Sequence, residues 1–296
     1  MNIKFYGLML FAIIFLAGCG NSLHADIKDY KMQMKDVQSE EKKLVKYIDE
    51  LALDKVDQLI GSEVTDQKKR NLQEKEQVIQ NKVLPQLAVY EDKMNKVKVD
   101  NPDIQEVHDI YISNFDEKKT FIHNIYTYIS LYNHSIESNE EILGYTQIFE
   151  KNKKTSEKYA ALASAEKKEA KDYNQLTQVI NHNNEELKTH VEELMNTSET
   201  SRRIAFIDNK LIPLLNGHVK SLNQIHLTAE NTLRLRQSQL EIYYSLISYY
   251  KERKTAMKIE EKLRKLPVQN ILSKAKEIKT LDNRYYQALK KLEEQD

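Results

Sequence analysis

The 296-residue chain is predicted to be all-α, an elongated set of helical bundles in two tandem three-helix units with an additional C-terminal helix. Three observations carry this. Apolar residues recur three and four apart over long stretches, the period of a helix face. Glycine and proline are scarce, at six and four, whereas a compact α/β enzyme of this length needs more glycine for its turns. Charged residues make up 30% of the chain and its mean hydropathy is −0.66, so most of the surface is solvated helix face.

The first element is not part of the bundles. Lys4 is followed by an apolar run from Phe5 to Leu16, broken only by Gly7, and then by Ala17, Gly18 and Cys19. A basic start, a short apolar segment and a small-residue cleavage site describe an export signal. The run is shorter than the roughly 20 residues a spanning helix needs. The string Leu16-Ala17-Gly18-Cys19 resembles the lipobox of bacterial lipoproteins, which implies that Cys19 carries diacylglyceryl and becomes the mature N-terminus, and makes palmitate one expected modification. Cys19 is the only cysteine, so it has no disulfide partner. Two acyl chains hold a protein on a bilayer where one is marginal. Residues 1–18 are thus read as a signal peptide and 19–25 as a lipid-anchored tether, with the protein on the outer side of the cell membrane.

From Asp26 a heptad-like stripe runs through Ile27, Tyr30, Met34, Val37, Leu44, Ile48 and Leu51, with Glu41 in the one slot lacking an apolar residue. This helix is expected to end near Gly61, with Ser62 or Thr65 capping the next. The second helix carries Leu72, Val78, Ile79, Val83, Leu84 and Leu87, and Pro85 inside the pattern should kink it. Asn101 and Pro102 read as an N-cap and first helical residue. The third stripe continues from Ile104 to Tyr132, and Ser138 with Glu141 has capping-box spacing for a short helix through Phe149.

The second half restates this order. Residues 41–46 align with 166–171, and Asn81 to Leu87 with Asn209 to Leu215. The tyrosine-rich stretch 126–132 aligns with 244–250 at a shorter offset, which places about ten extra residues of the first copy around Asn101 and Pro102. Two units are expected, 26–150 and 151–296, the second ending in a helix after Pro267 that carries Ile271, Ile278, Leu281, Tyr285, Leu289 and Leu292.

Chemistry-bearing motifs are sparse. No phosphate loop, nucleophile elbow or HExxH string occurs. His182 and His190, like His218 and His226, are eight apart, about 80° around a helix and two turns away, a poor geometry for one metal ion. Neither a cofactor nor a metal is expected, and adjacent glutamates such as Glu140-Glu141 read as solvated faces. Removal of Lys4 leaves 45 acidic residues nearly balanced by the remaining basic ones. No basic excess therefore points to nucleic acid or an anionic membrane surface. Among 17 tyrosines and no tryptophan, Tyr126, Tyr128, Tyr132, Tyr243, Tyr244, Tyr249 and Tyr250 form a candidate binding face. Rings on more than one side of a helix suit stacking on sugars or a partner protein as well as core filling.

A lipobox ahead of Lys- and Glu-rich, tyrosine-bearing helices from about Tyr30 to Phe149 resembles the YkyA-like cell-wall-binding lipoproteins of low-GC Gram-positive bacteria. That resemblance implies an all-helical, membrane-anchored protein with a relation to the cell wall and no catalytic residues. Two tandem copies depart from a single-unit member of that family. Phe11 to Gly18 also looks like an enterococcal-type sex-pheromone peptide, a composition shared with most lipoprotein signals. The leading expectation is a non-enzymatic, lipid-anchored protein that binds cell-wall polymer or an envelope protein. Its alternative is a structural spacer or a secretion-associated assembly factor acting by helix–helix association.

Overall fold

The computed structural model describes residues 20–52, 65–267, 277–278 and 280–295. All regular structure among the described residues is helical. In chain order the helices are α1 (Gly20–Glu50), α2 (Asp66–Val78), a π-turn (Ile79–Val83), α3 (Leu84–Met94) and α4 (Pro102–Ala165). A 3-10 turn (Lys167–Glu169) leads into α5 (Ala170–Asn196), α6 (Thr200–Phe206), a second π-turn (Ile207–Leu211), α7 (Ile212–Asn223), α8 (Glu230–Lys265) and α9 (Asn283–Glu293). The signal, the lipobox Leu16 to Cys19, Gly61, Ser62 and Ile271 lie outside the described residues.

Two compact units are present, Met1–Ser130 with Leu266–Asp296, and Leu131–Lys265. Their boundaries differ from 150/151 because α4 continues without a break through the expected unit boundary to Ala165. Ser138 does not cap a new helix; its hydroxyl donates to Glu252 across the second unit. The C-terminal segment packs into the first unit, where Ile278, Tyr285, Leu289 and Leu292 are buried.

Helix starts follow the sequence signals where those are chemically specific. The Thr65 hydroxyl accepts from the Lys68 N–H at 3.3 Å, and the Asn101 side chain accepts from the Asp103 N–H at 3.0 Å with Pro102 as first helical residue. Pro has no N–H to lose at that position. Two expectations are corrected. Residues 20–25 are helical rather than a loose tether, since nothing in Leu23-His24-Ala25 interrupts a helix. The first helix ends at Glu50 rather than near Gly61, and Ala52 takes a left-handed φ of 46°.

Pro85 and Pro213 each follow a π-turn. An i→i−4 helix would drive the proline ring into the carbonyl four residues back, of Asn81 or Asn209. The backbone widens instead, and the N–H groups of Leu84 and Ile212 donate to the carbonyls of Ile79 and Ile207, five residues back. Each proline thus sits two residues past the end of a π-turn, a recognised site of helix bending.

The same arrangement recurs in each unit. Ile79, Val83, Leu87 and Met94 are buried in one, and Ile207, Leu211, Leu215 and Leu222, each 128 residues later, in the other. That offset continues across the following connection: α4 begins at Pro102 and α8 at Glu230. The ring pair Tyr90–Phe115, centroids 4.9 Å apart, matches His218–Tyr243 at 5.4 Å. The two loops are equivalent, so no ten-residue excess lies at Asn101 and Pro102, and the tyrosine-rich stretches are not counterparts. The 41–46 and 166–171 strings are not counterparts either, because Lys82 pairs with Glu50 and its equivalent Lys210 with Glu193.

In the second unit the buried stripes of α5 to α8 converge on Leu176, Leu211, Leu215, Leu222, Leu235 and Tyr243, with Phe149 and Tyr159 of α4 packed against them. At the loop before α8, the Asp172 carboxylate accepts from the N–H groups of Thr228 and Ala229, at 2.7 and 2.9 Å. Glu169 accepts from Thr232 N–H at 3.1 Å. Two carboxylates thus meet the positive end of α8. Leu211→Ala, at a site sealed from solvent, should cost about 2–5 kcal/mol, read as a lower denaturant midpoint. Lys210→Ala beside it should stay within about 0.5 kcal/mol.

Candidate functional site

The seven tyrosines singled out from the sequence do not form one face. Tyr128 and Tyr243 are buried, while Tyr126, Tyr132, Tyr249 and Tyr250 are half-buried. Tyr244 alone among them is well exposed, at 51%. Tyr126 and Tyr128 belong to the first unit and the other five to the second.

The densest polar chemistry of the first unit was missed by that reading. Glu41, on the buried stripe of α1, meets the Lys118 ammonium of α4 in a close ion pair. Lys118, only 3% exposed, also binds Asp282 at 2.6 Å, just ahead of α9. Tyr111 donates to Glu41 at 2.9 Å and Tyr90 to the Tyr111 hydroxyl at 2.9 Å. Tyr285 packs its ring on Tyr111 with centroids 4.8 Å apart. Nearby, Tyr30 and the Nδ1 of His108 lie 3.3 Å apart.

Electrostatics follow from the burial. Two carboxylates face one ammonium, and desolvation raises the Glu41 carboxyl above its ordinary value, opposed by Lys118 and reinforced by Asp282. Burial lifts the Tyr30, Tyr90 and Tyr111 phenols far up and Tyr285 to about 12, so all four stay neutral donors. Burial also lowers His108. Glu41, Lys118 and the Tyr30, Tyr90, Tyr111 and Tyr285 rings are buried, with Asp282 at the edge of the cluster. The cluster's evident role is to bolt the C-terminal segment onto α1 and α4. The sequence signal was Glu41, the charged residue in an otherwise apolar stripe.

In the second unit the histidines meet across helices rather than along them. The Glu186 carboxylate lies 3.2 Å from Nε2 of buried His218 and 3.6 Å from Nε2 of His182. Burial lowers His218, with Glu186 opposing. The neutral ring therefore carries its proton on Nε2, toward the carboxylate, and buried Nδ1 has no hydrogen bond. Among the described residues no group of three or more His, Cys, Asp or Glu is placed to hold a metal ion.

Open surface with aromatic character occurs between the α4 segment of this unit and α8. Tyr145, Thr146, Phe149 and Glu150 face Ser245, Leu246 and Tyr249 around a groove of about 220 Å³. Tyr249 sits edge-to-face with Tyr250, centroids 5.1 Å apart. Rings with a polar rim of Thr, Ser and Glu suit an extended ligand that offers both apolar and hydrogen-bonding groups.

The model of one protein family, described as EMYY-motif containing lipoprotein, matches residues 1–293. No curated protein and no solved structure matches the chain. The string Glu241-Ile242-Tyr243-Tyr244 differs from the four letters of that description only by Ile for Met. On α8 it divides between core and surface: Ile242 and Tyr243 are buried, Glu241 and Tyr244 exposed. Among the described residues no helix is long and apolar enough to cross a membrane.

Glu41→Gln isolates the buried carboxyl. A folded-state value above the unfolded one means the folded chain holds the extra proton, so stability is lost as pH rises from the ordinary glutamate value, about 4.3, through the folded value. The variant should show a flatter fall of the denaturant midpoint over that window. An identical slope in both proteins would contradict the assignment.

Proposed function

Because the chain belongs to the EMYY-motif containing lipoprotein family, we propose that it works as a non-catalytic binding protein held on the outer face of the cell membrane by diacylglyceryl on Cys19. Its ligand is a cell-wall polymer or an envelope protein, taken up in the groove of the second unit. The observation that carries this reading is that groove, lined by the half-buried rings of Tyr145, Phe149 and Tyr249, one turn along α8 from the Glu241–Tyr244 string. Aromatic anchors in a shallow groove are the residues that dominate binding energy at interfaces. The groups most buried and most charged, around Lys118, are by contrast spent on holding the fold.

The anchor is tested by Cys19→Ala. The variant should lose palmitate labelling and leave the membrane fraction; full membrane retention would overturn the anchor.

The groove is tested by sedimentation with purified cell-wall sacculi and by cross-linking in intact cells. Phe149→Ala and Tyr249→Ala should each weaken capture roughly thirtyfold, the effect of losing about 2 kcal/mol of anchor energy. Thermal melts check that each variant is folded. Unchanged capture by both folded variants would remove the groove from the binding surface.

A further inference from the structure

The face of α1 that points away from the core is divided by charge. Taking 100° per residue, His24, Lys28, Lys31, Lys35, Lys42 and Lys46 fall within about 40° of one line down the helix. Asp26, Asp29, Asp36 and Glu40 fall on the opposite flank, about 120–200° around, while Lys43 lies about 100° around and Asp49 ends the basic line at its C-terminal end. All five lysines are exposed, and they span about 27 Å. Lys31 pairs with Glu293 of α9 at 2.5 Å. Among the described residues the other four take no ion pair. Beside the stripe, Met32 stands 62% exposed, and a depression of about 420 Å³ opens between Ile27, Lys31 and Glu293.

We propose that this lysine stripe lies on the anionic phospholipid headgroups of the membrane that holds the chain, laying α1 along the bilayer surface. The inference rests on the acylation of Cys19. Helix α1 begins at Gly20, one residue after the anchor, so no loose tether separates the two. A basic stripe continuing directly from an acyl anchor meets the headgroup layer before any other surface. Phosphate headgroups complement the lysines, and Met32 adds an apolar contact at the acyl boundary. An upright α1 would carry Lys35 about 24 Å from Cys19, well beyond a headgroup layer. The stripe is therefore satisfied along its length only by a helix lying flat. The segregation matters more than the total, because a near-neutral chain still presents a local positive field within a Debye length of about 10 Å.

The test uses the full acylated protein in vesicles of phosphatidylcholine alone or with one-third phosphatidylglycerol. Lysine acetylation is followed residue by residue by mass spectrometry, and flotation reports the anchor separately. In the anionic vesicles Lys28, Lys35, Lys42 and Lys46 should react at least about fivefold more slowly than in the neutral ones. Lys151 and Lys188 of the second unit should not change, and high salt should restore the lost reactivity. Flotation with both vesicle types but equal lysine rates would overturn the stripe while leaving the anchor. Flotation only with anionic vesicles, with the lysines protected, would support the stripe and overturn the anchor. Equal protection by inorganic phosphate in detergent would reduce the stripe to an ion site and overturn the bilayer assignment. Protection in the neutral vesicles as strong as in the anionic ones would show burial without charge recognition and overturn it too.

Discussion

Lys118 lies where no ammonium can stay uncompensated. At that depth an unpaired charge costs several kcal/mol, so the first unit is organised to bring it two carboxylates from distant parts of the chain. Glu41 comes from α1 and Asp282 from the segment ahead of α9, and the Tyr111 and Tyr90 hydroxyls complete the shell. Such a network gives little net stability over an apolar core, but it is selective about geometry. An apolar stripe can slide by a heptad against its neighbour with modest loss. A lysine bound to two named carboxylates cannot. In the first unit, polar chemistry fixes the register that hydrophobic periodicity leaves loose.

The second unit fixes register by other means. Its position equivalent to Lys118 is Leu246, and the ring pair equivalent to Tyr90 and Phe115 is His218 and Tyr243. Glu186 steadies His218 from α5, and Asp172 and Glu169 hold the start of α8. Both units keep the proline-induced π-turn, a backbone feature that does not depend on which side chains fill the core. What recurs is a path of the chain; what differs is the chemistry that locks it.

The all-α class was legible because helix period, scarce glycine and abundant charge agree. So were Asn101-Pro102 and Thr65, where one side chain makes a local bond that its sequence neighbours dictate. The matched strings around Pro85 and Pro213 were also sound, since proline forces the same backbone response wherever it stands in a helix. The strings at 41–46 and 126–132 misled because Lys, Glu and Tyr on heptad faces match one another at several offsets. Tyrosine enrichment likewise does not say which rings are core: Tyr30, Tyr90, Tyr111 and Tyr285 are buried, and their partners are distant in sequence. The balanced net charge concealed the lysine stripe, because a sum discards position around the helix. Glu41 was visible as an exception, but its reason lay at Lys118 and Asp282, far along the chain.

The chain leaves the first unit at Ser130, builds the whole of the second, and returns at Leu266. A unit assembled from both ends of its sequence cannot close until the last segment arrives. Synthesis delivers the N-terminus first, so α1 to α3 and the first part of α4 hold Glu41 and Lys118 short of Asp282 while residues 131–265 already hold everything their own core requires. The connectivity thus lets the inserted unit close on its own residues, whereas the first needs a segment from beyond it.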